Sequence, residues 1–154
     1  MRTQNWQVRF IQLLSVVGMF LAYYLLLYHN GVLVGVCPAS GIEDCGKVSG
    51  PGAPYASIGP VPVALIGLVG YATIFLATWL QDWWHWLEEN LAPLLLSLTG
   101  LAFLFSLGLT ALELFVIHAI CRYCVVSAVN ITIMFALSAL YLRQSLREPE
   151  DAAL

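Results

Sequence analysis

Residues 121–142 read CRYCVVSAVNITIMFALSALYL, and beyond Arg122 this stretch carries no charged side chain. A helix needs about 20 mostly apolar residues to cross the hydrocarbon of a bilayer, and this stretch has that length. It is read as a membrane span that opens on a Cys-x-x-Cys unit. Three earlier stretches have the same character: 10–28, interrupted only by Gln12 and Ser15, then 61–80 and 91–112. The expected fold is an all-α integral membrane protein, a four-transmembrane-helix bundle formed by a single domain over 1–154. Composition points the same way. Of 154 residues, 60% are apolar and 10% charged, with a mean hydropathy of +0.84, whereas a soluble domain carries about 25% charged residues. The net charge of −3 and six scattered basic residues argue against a nucleic-acid partner.

The first span is too long for a secretory h-region, and no small-x-small cleavage site follows it. Val34-Gly35-Val36-Cys37 faintly resembles a lipoprotein cleavage box, but the bulky Val36 opposes that reading. The connection 29–60 is rich in Gly and Pro, a composition that opposes a long regular helix, although a short one could lie on the bundle. It is expected to cap the spans. Arg2 and Arg9 precede span one, and Arg143 and Arg147 follow span four. Basic residues mark the cytoplasmic side, so both termini are placed in the cytoplasm and the loop 29–60 outside it, on the oxidising side in a bacterium or in the ER lumen of a eukaryote. The turn 81–90 belongs to the cytoplasmic side yet holds Asp82, Glu88 and Glu89; acidic residues weigh little in orientation. Trp79, Trp83, Trp84 and Trp86 read as an aromatic belt.

This topology collects all four cysteines, Cys37, Cys45, Cys121 and Cys124, on the extracytoplasmic side, where disulfides form. Cys121 and Cys124 stand at i and i+3, on one helix face. The N-terminus of a helix favours a thiolate, and Arg122 adds to that field. The spacing therefore suits a cycling dithiol. Two plainer readings stand beside it. Cys37 and Cys45 could form a structural staple, although closing so small a loop gains only about 2–3 kcal/mol. Four thiolates could also hold zinc, but the loop pair is more widely spaced than zinc ligands usually are. No metal is expected.

The order of these features resembles the vitamin K epoxide reductase family, and its bacterial members in particular, so the expected location is a bacterial cytoplasmic membrane. The resemblance rests on Cys37-Pro38-Ala39-Ser40 with Cys45, Tyr55-Ala56-Ser57-Ile58-Gly59, Pro62-Val63-Ala64-Leu65-Ile66-Gly67 opening span two, and Cys121-Arg122-Tyr123-Cys124-Val125-Val126-Ser127-Ala128 opening span four. It implies a bundle surrounding a quinone of the ubiquinone, menaquinone or vitamin K type. By position, Cys124 matches the cysteine that reduces the quinone, and Cys121 its disulfide partner. Cys37 matches the shuttle cysteine attacked by a thioredoxin-like donor, and Cys45 the one that passes electrons to Cys121. The chain ends at Leu154, so the expected donor is a separate Cys-x-x-Cys protein. The family often has a Ser shortly before the aromatic matched by Tyr55; Ser49 is the candidate, in a segment two residues longer. Where vertebrate members carry an Asn and a Tyr that bind the quinone carbonyls, this chain has Val63 and Ala128. That departure favours quinone reduction over epoxide reduction. In the other quinone-linked disulfide-generating family the two cysteine pairs occur in reverse order.

Other residues admit two readings each. His118 and Glu113 are candidate proton relays or wet interfacial groups, and His29 and His85 read as interfacial. Tyr55, Tyr123, Phe103, Phe105 and Leu107 either line a quinone pocket, which is mostly apolar, or only pack helices. Gly100 and Gly108 are expected to let neighbouring helices approach.

Overall fold

The computed structural model describes residues 5–33 and 43–151; Cys37 and its neighbours lie outside the described residues. Four helices are long and apolar enough to cross a membrane, and the protein is an integral membrane protein. They are α1 (Asn5–His29), α3 (Val63–Leu80), α4 (His85–Leu112) and α5 (Arg122–Asp151), with a short α2 (Cys45–Ser49) and a hairpin of β1 (Ser57–Ile58) and β2 (Val61–Pro62) between the first two spans. The expected turn 81–90 shrinks to 81–84, because α4 begins at His85 rather than near Leu91. Local charge explains the longer helix. The His85 ring lies 3.6 Å from Glu88 and 3.2 Å from Glu89, and acids in a first turn suit the helix dipole.

The spans form a closed ring: α1 packs on α3 and α5, and α4 packs on α5 and α3. The centre holds Val8, Ile11, Tyr71, Ile74, Leu91, Leu95, Ile131 and Met134, while large side chains such as Leu13, Phe20, Leu104 and Phe115 are exposed on the outside of the bundle. Apolar lipid gives no hydrophobic drive for helices to associate, so close packing and internal hydrogen bonds must serve. Both are present. The buried hydroxyls of Ser15, Thr78, Thr99 and Ser138 donate to carbonyls one turn back in their own helices. The Asn130 amide crosses from α5 to donate to the Leu14 carbonyl of α1 at 3.0 Å. Gly18 lets the Tyr71 ring lie against α1: a Cβ there would fall 2.3 Å from the ring. Of the two glycines of span three, Gly100 meets Phe135, at 3.4 Å from where its Cβ would stand, but Gly108 has nothing within 4 Å. Only Gly100 serves a helix contact.

At one end of the bundle Arg9 pairs with Asp82 at 3.5 Å, tying the start of α1 to the α3–α4 turn. The acidic turn thus lies beside a basic residue of the first span. The opposite end carries the described cysteines. There Glu43 forms a parallel bridge with Ile120, the Asp44 N–H donates to the Ile120 carbonyl, and the Arg122 guanidinium meets Glu43 at 2.6 Å. Asp44 then caps α2 by accepting from the Lys47 N–H at 3.1 Å. These contacts fix α2 over the entrance to α5. Gly59, at φ 62, makes the left-handed turn of the hairpin that leads into α3.

Candidate active site

Cys121 directly precedes α5 and accepts, through its carbonyl, the N–H of Val125 at 3.0 Å. This makes it the N-cap residue, one position outside the helix it was expected to open. Cys124 lies one turn in. Both are free thiols, whereas Cys45 is disulfide-bonded. Cys45 and Cys121 are both buried and belong to one apolar cluster with Leu25, Val48 and Ala119. The pinned α2 therefore brings the loop cysteine and the helix cysteine into one compartment. Tyr123 belongs to its rim and packs on Tyr24, with ring centroids 4.9 Å apart. A hydrogen bond from the Cys124 side chain, opposed by burial, lowers the Cys121 thiol to about 7.

Adjoining this cluster, and sharing Leu25 and Val48 with it, is a cavity of about 450 Å³, bounded by α1, α3, α4 and α5 and roofed by α2 and Tyr55. Cys124 is on its wall and Cys121 is not. Its volume and mostly apolar surface suit a small flat aromatic ligand. Ser49 lines it too, its Oγ 3.7 Å from the Cys124 sulfur. On α3 and α5, the Tyr71 hydroxyl meets the Ser127 hydroxyl at 2.9 Å. Of the expected pocket residues, Tyr55 and Phe105 do line this cavity, but Tyr123, Phe103 and Leu107 do not. Phe103 instead stacks on Phe135 at 5.2 Å, and Leu107 faces a separate shallow groove. Val63 lines the cavity without a polar group to offer, and Ala128 lies outside it.

Glu113 is the residue whose position the sequence conceals most. It is 5% exposed, lines the cavity, accepts the Cys121 N–H on Oε2 at 3.3 Å and faces the Cys124 side chain. Local backbone geometry puts it there. After Leu112 the helix widens into a π turn over Glu113–Ile117, and His118 closes it in the left-handed conformation at φ 52, its N–H donating to the Glu113 carbonyl. π turns concentrate at functional sites. His118 itself is exposed and serves as this cap.

Comparison with known proteins decides the family. The sequence model described as the Vitamin K epoxide reductase family matches residues 9–139, from the first turns of α1 to near the end of α5. The chain belongs to that family. No curated protein matches it individually. Membership in the vitamin K epoxide reductase family makes the chain a membrane oxidoreductase.

Proposed function

We propose that this vitamin K epoxide reductase homologue oxidises thiols at the cysteine end and delivers the electrons to a membrane quinone, supporting disulfide formation in other proteins. The observation that carries the reading is the unequal access of the helix pair: both sulfurs pack with the cluster that holds the loop cysteine, but only Cys124 also lines the cavity. A thioredoxin-like donor reduces the Cys37–Cys45 disulfide, and Cys45 attacks Cys121 of a Cys121–Cys124 disulfide, with Cys124 as the leaving thiolate. Cys37 then attacks Cys45, which re-forms the loop disulfide and leaves both helix cysteines reduced. Cys121 and Cys124 then close a disulfide, releasing two electrons and two protons. A quinone takes up two of each on becoming a quinol, so the exchange balances without a metal. Glu113 receives the proton of the Cys124 thiol and passes it toward the reduced ring. Such a carrier is needed because the wall around it is largely apolar and gives the proton few other acceptors.

The test uses the full-length protein in lipid nanodiscs with a short-chain quinone and a reduced Cys-x-x-Cys protein. One quinol should form for each pair of thiols oxidised. Thiol oxidation without quinol would show that the electrons go elsewhere. The compartment is a separate proposal, motivated by Arg2, Arg9, Arg143 and Arg147 at the ends of the outer spans. In intact cells treated with a reductant, a membrane-impermeant maleimide should label the loop cysteines. Labelling that requires opening of the cytoplasm would invert the orientation.

A further inference from the structure

The polar side chains around the cavity mostly satisfy one another. Tyr71 and Ser127 share a hydrogen bond, Thr73 and Thr110 donate to carbonyls in their own helices, Ser49 contacts Cys124, and Glu113 accepts from the Cys121 backbone. Among the described residues, two side-chain polar atoms are buried with no partner, Gln7 Oε1 and His29 Nδ1. Gln7 lies in the first turns of α1, away from the cysteine end. His29 closes α1 and lines the same cavity as Cys124.

A buried polar atom without a partner is costly, and when it lines a cavity a ligand is its natural complement. From this we infer that His29 binds the electron acceptor: its Nδ1–H donates to a carbonyl oxygen of a quinone whose ring lies along the Cys124 wall. The inference rests on the proposed quinone reduction and adds a binding residue to it. A ring with carbonyls at its edge fits, since it gives an otherwise apolar ligand an acceptor for this one donor. His29 thereby fixes the in-plane orientation of the ring, while Cys124 supplies the electrons. A fully apolar occupant, such as a lipid chain, would leave Nδ1 as unsatisfied as before.

The experiment compares wild type, His29→Phe and His29→Asn in nanodiscs with a short-chain quinone. Phe keeps a flat ring without the donor; Asn places an amide N–H near the position of Nδ1. Loss of one neutral hydrogen bond should raise the KM for quinone in His29→Phe by up to about tenfold, with kcat changed far less. His29→Asn should recover most of that loss. Thiol exchange between the loop and Cys121 should be unchanged in both, which separates binding from a folding defect. An unchanged KM in His29→Phe, or equal damage from Phe and Asn, would overturn the assignment. Wild type that forms no quinol would overturn both this assignment and the quinone reduction it rests on. A readout on the unaltered protein covers variants that fail to insert. With only three histidines in the chain, ¹⁵N-histidine spectra can be assigned, and the His29 Nδ1 signal should shift on quinone addition; a static signal would overturn the proposal.

Discussion

Cys124→Ser should abolish quinol formation, by about a thousandfold or more as expected when the reacting nucleophile is removed, while thiol exchange at the loop pair stays measurable. The expectation comes from placement. Cys124 is on the cavity wall, whereas Cys121, fully buried in the adjoining cluster with Cys45, is not. In the serine variant Cys121 has no partner sulfur with which to form the helix disulfide that would take electrons from the loop, and no sulfur remains on the cavity wall to reduce the ring. Cys121→Ser gives the complementary result. It cuts the loop off from the helix pair but leaves Cys124 facing the ring. Raising the pH to form the Cys124 thiolate should then produce a visible charge-transfer band with added quinone, absent from Cys124→Ser. If Cys124→Ser reduced quinone at the wild-type rate and Cys121→Ser did not, the two sulfurs would have the opposite roles.

The sequence makes the spans and the cysteine pairs legible for a simple reason. Each depends on a local quantity: an uninterrupted apolar length of about 20 residues, or an i, i+3 spacing on one helix face. The depth difference between Cys121 and Cys124 comes from helix rise alone. Packing choices are less legible. Phe103 and Phe105 are two residues apart on the same apolar helix, yet one stacks on Phe135 and the other lines the cavity. Only the rotation of α4 against its neighbours distinguishes them, and an all-round apolar membrane helix has no polar face to reveal it. The chain between spans three and four is hidden for a different reason. A π turn adds a residue to the helical repeat, which rotates the facing of the residues after it by about 100° relative to an α-helix of 3.6 residues per turn. His118, three positions before Cys121, looks like the better relay by sequence distance, but it is the exposed left-handed cap. Glu113 is eight positions away in sequence and in hydrogen-bond contact with Cys121. Similarly, His29 at the end of an apolar run reads as interfacial until its ring is placed beside the cavity.

Glu113→Gln tests what that buried acid does, because the exchange retains shape and hydrogen bonding but removes the ability to take a proton. The amide oxygen can still accept the Cys121 N–H, so the π turn and the N-cap of α5 should persist, and the variant should insert and melt like the wild type. Quinol formation should nevertheless fall by about 10²–10⁴-fold, the usual contribution of a positioned acid–base group. The effect belongs on kcat, since the cavity loses no volume and His29 is untouched. The pH profile separates a proton acceptor from a merely structural carboxylate. With Glu113 absent, solvent must remove the Cys124 proton, so the residual rate should climb with pH, by about tenfold per unit while the thiol is mostly protonated. Wild type should rise less steeply, because its acceptor is built in. Electron entry from the loop does not pass through this proton, so reduction of the Cys121–Cys124 disulfide by a reduced partner should continue in Glu113→Gln. The reduced pair should then accumulate during turnover, visible as rapid alkylation of the helix thiols in a quenched sample. A Glu113→Gln variant with a kcat within about threefold of wild type and an unchanged pH profile would leave Glu113 as a structural cap for Cys121, and would return the thiol proton to solvent.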